Sequence, residues 1–164
     1  MGDTDAALLA VMRELDDPDW MEWPQSYDRG AAAVRHARLR ARLDADFRTA
    51  CEVSQDEQDS SEYGRVLVSA EATRCGTRIV VCVSKFGSLA VICAENPGVF
   101  LGTHEAVAEG ELDSADLAVV DEALRDLGYT VVPEELLESD YDGPSRLAWH
   151  VRRPSWSDRF FGYF

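Results

Sequence analysis

The sequence feature that most constrains the fold is a pair of short apolar segments separated by a tight turn. Thr77–Lys85 and Leu89–Glu95 are rich in valine and isoleucine and have the length of β-strands. Gly87 suits the first central position of a two-residue type II′ turn, because that position requires a positive φ. The sequence therefore predicts a β-hairpin whose register sets Cys82 directly opposite Cys93.

Both faces of this predicted hairpin are apolar. A ribbon with one side in water would alternate apolar and polar residues, so this hairpin is expected in the middle of a sheet that is covered on both sides. The residues expected on one face are Ile79, Val81, Val83, Ala90 and Ile92, and those expected on the other are Val80, Cys82, Val91 and Cys93.

Two helices are predicted before the hairpin. A short one begins near Asp3, and a longer one begins after Ser26 or Asp28 and continues to about Cys51. Apolar residues recur every four positions in the longer helix and define a buried stripe of Leu39, Leu43, Phe47 and Cys51. The polar stretch Glu52–Glu62 has no periodicity, which predicts a loop.

A third amphipathic helix and several strands are predicted around and after the hairpin. Asp113 or Ser114 caps the helix, and Gly128 stands where a left-handed C-terminal cap belongs. Its apolar residues are expected to face inward (Leu117, Val120, Leu124, Leu127) and its acids outward (Asp116, Asp121, Glu122). Further strands are predicted at Arg65–Glu71, Val99–Leu101, Tyr129–Val132 and Arg146–Val151, with a helical turn at Glu134–Ser139.

This order of elements predicts an α+β fold. We expect N-terminal helices, a central antiparallel sheet of about four to six strands, one amphipathic helix packed on the sheet, and an aromatic C-terminal tail docked on the body. No linker divides the chain, so residues 1–164 are expected to form a single domain, with a helical N-terminal part (1–54) and a sheet-containing part (64–164). The tail holds Trp156, Phe160, Phe161, Tyr163 and Phe164. Burial against the chain's own sheet is expected, with a partner chain or second copy as the alternative.

The composition is strongly acidic. Thirty-one acids against sixteen bases give a net charge of −15 at pH 7, which repels nucleic acid and anionic membrane and favours basic partners. Lys85 is the single lysine, and the arginine-rich usage is typical of a GC-rich bacterial genome or a salt-adapted organism. The acidic start Met1–Asp5 is unlike a signal peptide, and cysteines without C-x-x-C spacing predict reduced thiols and a cytoplasmic location.

One segment of the chain opposes this charge. Between Arg29 and Arg48 there are six arginines and His36 against only Asp44 and Asp46. A basic helix can bind phosphate, but the rest of the molecule is a poor match for nucleic acid. We expect these arginines to pair with acids of the same chain, since opposite charges at short range stabilise each other, or to form an exposed polar face.

The sequence contains no recognisable signature of catalysis, metal binding or cofactor binding. The three histidines stand apart from one another and from the cysteines, without the spacing of zinc sites. There is no nucleophile elbow, glycine-rich phosphate loop or dinucleotide fingerprint. We therefore assign no catalytic residue, no metal and no cofactor. Cys82 and Cys93 are expected to pack in the core, with a redox pair as the alternative.

Acids are densest in the C-terminal part of the chain, and this density suggests a binding surface. The candidate partner-binding residues are Asp113, Asp116, Asp121, Glu122, Asp126, Tyr129, Asp140, Tyr141 and Asp142. If they share a face, they form a negative surface with embedded aromatics that can engage an arginine- or lysine-rich protein.

The function that this composition favours is a non-enzymatic, acidic protein-binding domain with a basic protein partner. Its size, acidity and lack of chemical signatures resemble those of small bacterial immunity proteins that neutralise toxins, and whether it is a monomer or a homodimer is left open. The alternative is a small-ligand-binding or enzymatic domain with a pocket built from residues such as Glu71, Glu95 or Tyr129. A pocket with convergent polar groups would favour this alternative, and a flat negative face would favour protein binding.

Overall fold

A computed structural model describes residues 2–55, 58–147 and 153–162 of the chain. The helices in these ranges are α1 (Asp3–Leu15), α2 (Arg29–Phe47), α3 (Thr103–Ala108), α4 (Ser114–Asp126), α5 (Glu134–Leu137) and α6 (Trp156–Phe161). The strands are β1 (Glu52–Gln55), β2 (Glu62–Val68), β3 (Ile79–Ser84), β4 (Leu89–Ala94) and β5 (Thr130–Val131), and a 3₁₀ turn (Ala70–Ala72) follows β2. This architecture confirms the predicted α+β class.

The five strands form one sheet in sequence order, β1-β2-β3-β4-β5. The first four pair antiparallel, as predicted. β5 runs parallel to β4, with Leu89 opposite Thr130. The sheet is therefore mixed, because α3 and α4 lie between β4 and β5 in the chain and provide the long crossover that a parallel pair requires.

The register of the β3–β4 hairpin differs from the predicted one. Cys82 pairs with Val91 and Cys93 pairs with Val80, so the two cysteines are diagonal neighbours and not direct opposites. The shift is two residues long, and the side-chain period of a strand is also two, so every side chain stays on its predicted face.

The shift arises between the ladder and the turn, because the Leu89 amide still donates to the Phe86 carbonyl across a two-residue turn. Gly87 and Ser88 both have φ of 55°, the sign pattern of a type I′ turn and not of the predicted type II′ turn. The Lys85 amide donates to the carbonyl of Ser61 beside β2, at 2.8 Å. The chain thus leaves the β3–β4 ladder before the turn, and extra residues enter the connection.

Helices cover both faces of the sheet, which confirms the central position predicted for the hairpin. On the first face, α2 and α4 pack on the odd-numbered β3 residues with Leu39, Leu43, Val120 and Leu124. On the second face, α1, α5 and α6 pack on the even-numbered β3 residues with Met12, Leu136, Trp156 and Phe160. The described residues thus form three layers around two apolar cores.

Three local predictions fall on β1, on the segment after β4 and near the C-terminus, and the structure corrects the first two. Glu52–Gln55, predicted as a loop, forms edge strand β1, and so the sheet begins before residue 64. Its side chains are largely exposed, so it lacks the alternating pattern that identifies strands. Val99–Leu101 is irregular chain that leads into α3, which no capping signal announced. The strand predicted at Arg146–Val151 lies mostly outside the described residues, and Arg146 and Leu147 are not in a strand.

The predicted capping residues occupy the expected positions. The Asp28 carboxylate accepts from the amide of Ala31 at the start of α2. Asp113 accepts from the amides of Ala115 and Asp116 at the start of α4. Gly128 follows α4 with φ of 85°, a conformation that glycine adopts without steric cost.

The aromatic tail docks on the second face of the sheet, which confirms burial within the chain. Trp156 and Phe160 lie on one side of α6 and are buried, with ring centroids 6.0 Å apart. A reciprocal capping box between Ser155 and Asp158 starts this short helix. Tyr163 and Phe164 lie outside the described residues.

Candidate functional site

The predicted acidic face begins at α4, and the structure buries part of it. Asp116 was expected to face outward, but it is 5% exposed, accepts from the amide of Arg74 at 2.8 Å and lies 3.6 Å from its guanidinium. Asp113 is occupied as the helix cap. Tyr129 is also buried, with its ring against the first core. All three side chains have structural roles, and Asp116 and Tyr129 present little surface to a partner.

The remaining acids of the predicted face largely pair with arginines of the same chain. Asp121 lies 2.8 Å from Arg125, and Asp142 lies 2.9 Å from Arg13. Asp140 is more loosely placed, 3.8 Å from an exposed arginine, and Glu122 is exposed on α4.

The two halves of the predicted face lie on opposite sides of the sheet. α4 packs on the first core, whereas Tyr141 packs on the second core with its ring centroid 4.7 Å from that of Trp156. The condition that the acids of α4 and of the Asp140–Asp142 turn share one face is therefore not met.

The arginines of α2 pair partly within the chain, as predicted. Arg42 lies 2.8 Å from Asp46 on its own helix and 3.1 Å from Asp126 on α4. Arg40 lies 3.8 Å from Asp44. The contact between Arg42 and Asp126 joins α2 to α4 above the first core.

A different site stands out beside the first turns of α2. A cavity of about 270 Å³ opens between α2 and the turn that joins β3 to β4. Its wall is rich in tyrosines and hydroxyls and contains two cationic side chains: Tyr27, Tyr63, Tyr129, Ser84, Ser88, Arg35 and Lys85. We call this cavity the tyrosine pocket. Its volume lies just below the range typical of pockets that bind drug-sized ligands, about 300–1,000 Å³.

Lys85 is a structural part of this wall. Its side chain is only 1% exposed, and its Nζ donates to the carbonyl of Ser60 at 2.8 Å. The Glu22 carboxylate lies 3.5 Å from Nζ, and the Trp23 ring centroid lies 5.9 Å away. The positive charge of Lys85 is therefore balanced inside the protein, and it fixes the 22–23 segment to the hairpin.

Arg35 is different, because its recorded partners are neutral. It is half-buried; one terminal nitrogen donates to the Ser88 hydroxyl, and the guanidinium carbon lies 5.6 Å from the Tyr129 ring centroid. Among the described residues no carboxylate lies within ion-pair distance of Arg35, although acids outnumber bases almost two to one. Asp28 also lines the pocket, but its Oδ1 caps α2.

The turn beneath the pocket has unusual backbone geometry. A Cβ on Gly87 would meet the Leu15 side chain at 2.4 Å, and φ there is positive, so glycine is needed. Ser88 also has a positive φ, which is uncommon for a residue with a side chain. This conformation holds the Ser88 hydroxyl against Arg35.

His36 lies behind the pocket wall, with its ring centroid 5.1 Å from that of Tyr63. Burial lowers the pKa of His36, opposed by a hydrogen bond to the Arg65 backbone. Its Nε2 atom has no hydrogen-bond partner among the described residues. A neutral ring fits this environment. Burial likewise raises the pKa of the Tyr129 phenol, so the hydroxyl stays protonated at neutral pH.

The other residues considered for a pocket lie elsewhere. Glu71 and Glu95 line a separate depression together with Arg78 at the far end of the sheet, so they do not join Tyr129. Cys82 and Cys93 are buried on the second face near Glu134, where hydrogen bonding to Cys82 and burial raise the pKa of Cys93. A thiol with a raised pKa is a weak nucleophile, which agrees with core packing.

Sequence reasoning identified Tyr129 as a pocket candidate but not Arg35, Ser88 or the other tyrosines. Arg35 was grouped with the helix arginines expected to pair with acids. The lone lysine after a fully apolar strand and the serine beside a turn glycine were signals that could have drawn attention to this end of the sheet.

No function is assigned from metal-binding clusters, from membrane-spanning helices or from similarity to known proteins. In the ranges that the structure describes, no three metal-binding side chains cluster, and none of the helices there has the length and apolar character needed to cross a bilayer. The chain matches no protein-family model, and no curated protein or solved structure is significantly similar to it.

Proposed function

We propose that the chain is a small-molecule-binding domain whose ligand occupies the tyrosine pocket. The observation that carries the proposal is the convergence of polar groups from three separate parts of the chain. Arg35 comes from α2, Tyr63 from β2 and Ser88 from the β3–β4 turn. Concave sites with apolar walls and a few convergent polar groups are the usual form of ligand pockets.

The packing around the pocket supports a preformed site. Lys85 and its partners fix one wall, Tyr129 is buried in another, and Gly87 packs on α1. A site held on a helix and a sheet needs little rearrangement to bind its ligand, which lowers the entropic cost of binding.

The experiment that tests this proposal fills the pocket. Ala31 lines it on an exposed turn of α2, so Ala31→Trp places an indole at the entrance without changing the core. Ala37→Trp is the matched control, because Ala37 is exposed on the same helix and is not among the lining residues. We expect fragments detected by ligand-observed NMR to bind the wild type and Ala37→Trp but not Ala31→Trp. Equal binding to all three proteins would contradict the proposal.

A second candidate function is binding to a basic protein, as an immunity-type protein would do. It is favoured by one observation: acids exceed bases by fifteen, so ion pairs within the chain cannot neutralise the surface. A negative surface raises the rate at which a basic partner associates. The test is capture of partners from a native lysate at low and high salt. A specific basic protein that is lost at high salt supports this function, and capture of no such protein counts against it.

A further inference from the structure

We infer that the tyrosine pocket selects a small anionic ligand, one that carries a carboxylate or phosphate group, and that Arg35 is its counter-ion. This inference rests on the proposed function and adds the chemical class of the ligand. It starts from the contacts of Arg35. Eight other arginines form ion pairs with acids of the chain, whereas Arg35 contacts a hydroxyl and an aromatic ring. Half-buried Arg78 likewise has a neutral side-chain partner, Asn96, but it does not line the tyrosine pocket.

A half-buried guanidinium without an anion is costly, because burial removes water that the charge would otherwise hold. The chain has abundant acids, so pairing Arg35 internally would need only one more carboxylate nearby. The contacts that Arg35 makes instead fix the direction in which its guanidinium points. Ser88 takes one terminal nitrogen and the Tyr129 ring supports the guanidinium carbon, which leaves the remaining N–H groups for another acceptor.

The planar guanidinium is suited to carboxylate and phosphate groups, which it binds through two parallel hydrogen bonds. Of the two cations that line the pocket, Lys85 is balanced by Glu22, whereas the contacts of Arg35 are a hydroxyl and an aromatic ring. The Asp28 carboxylate also lines the pocket and keeps its negative charge, because the Ala31 amide that donates to it is neutral. Arg35 is therefore the cation of the pocket that remains available to an incoming anion. The tyrosine walls favour a ligand with an apolar or planar body.

The experiment compares probes of the same shape and different charge. Benzoate and phenyl phosphate are the anionic probes, benzamide is the neutral probe and benzylamine is the cationic probe. Affinities are measured by NMR titration at constant ionic strength. We expect the anionic probes to bind at least about tenfold more tightly than benzamide, a difference of about 1.4 kcal/mol, and benzylamine to bind most weakly.

Two variants assign this preference to Arg35. Arg35→Gln should remove the difference between benzoate and benzamide, and Arg35→Lys should keep part of it because the charge remains. Arg38→Gln is the matched control, because Arg38 lies on α2, is exposed and does not line the pocket. It should bind as the wild type does. Thermal unfolding of each variant confirms that it is folded before titration.

The outcomes separate this inference from the proposed function. If benzoate and benzamide bind the wild type equally and Ala31→Trp blocks both, the pocket binds ligands but the anionic class is wrong. If the preference for anions survives in Arg35→Gln, the role of Arg35 is wrong. If none of these probes binds but other fragments bind and are blocked by Ala31→Trp, the anionic class is wrong and the proposed function stands. If no fragment of any charge binds, both the inference and the proposed function fail.

Discussion

The C-terminal helix is held to the body by a buried ion pair, and replacing Arg159 by methionine tests its contribution. The side chains of Arg159 and Asp16 are 0% exposed, and the Arg159 Nε lies 2.6 Å from the Asp16 Oδ1. The terminal nitrogens donate to the carbonyls of Asp17, Trp20 and Met21 at 3.0–3.2 Å. One guanidinium thus fixes both α6 and the segment that follows α1.

The expected loss is large because the substitution leaves a charge without its partner. Removing one member of a buried pair costs about 3–5 kcal/mol, against a total stability of about 5–15 kcal/mol for a domain. For a chain of this length, each kcal/mol lowers the melting temperature by about 2–4 °C. We therefore expect Arg159→Met to lower the melting temperature by about 6–20 °C.

Thermal unfolding followed by circular dichroism and tryptophan fluorescence measures this effect. Arg13→Met is the control, since Arg13 forms an exposed pair with Asp142 that should contribute less than about 1 kcal/mol. The double substitution Asp16→Asn, Arg159→Met should recover part of the loss, because it removes the orphaned charge. Equal unfolding midpoints for Arg159→Met and Arg13→Met would refute the reasoning.

Three further predictions concern titratable groups. With a thiol reagent at pH 8, we expect only half-buried Cys75 to react in the native protein and all four cysteines to react in urea. Burial raises the pKa of Cys51 to about 12, hydrogen bonding to Cys82 and burial raise the pKa of Cys93 well above its usual value, and Cys82 is itself buried; rapid native reaction of all four would contradict the prediction. Burial lowers the pKa of His36, so the unfolded chain binds the proton first and the stability of the fold falls as the pH drops below about 6.5. The unfolding midpoint of the wild type should therefore decline relative to that of His36→Gln as the pH falls, and parallel pH profiles of the two proteins would contradict the prediction. Burial raises the pKa of Glu134, so its ionised form is disfavoured in the fold at neutral pH. Glu134→Gln should therefore raise the melting temperature at pH 7, and this gain should shrink as the pH falls and the wild-type carboxylate is protonated. A melting temperature of Glu134→Gln below that of the wild type at pH 7 would contradict the raised pKa.

The parts of the fold predicted from sequence are those that local patterns determine. The apolar faces of β3 and β4 identify the centre of the sheet, and this assignment survives an error in register because the error is an even number of residues. The caps at Asp28 and Asp113 are also local, since each side chain bonds an amide two or three residues away. These contacts do not depend on how distant segments meet.

The features that sequence patterns did not predict depend on contacts between segments that are far apart in the chain. β1 is recognised by its backbone pairing with β2, and its exposed side chains carry no apolar period. Asp116 lies on the polar side of its helix pattern, yet it is buried because Arg74, from the turn before β3, covers it. Periodicity describes which side of a helix is polar, but not whether another segment covers that side.

The net charge can be read from the sequence, whereas the candidate site depends on contacts between distant segments. A net charge of −15 is a sum over the chain, and its long-range field repels anions from the surface. Contacts at hydrogen-bond distance are screened far less than that field, so an arginine in a partly enclosed pocket can select an anion in spite of it. That no carboxylate of the described residues lies within ion-pair distance of Arg35 is then as informative as the acids present elsewhere. Composition favours a basic partner for the outer surface, whereas the geometry around Arg35 favours an anionic molecule inside the pocket. The outer surface and the pocket of one chain thus favour ligands of opposite charge.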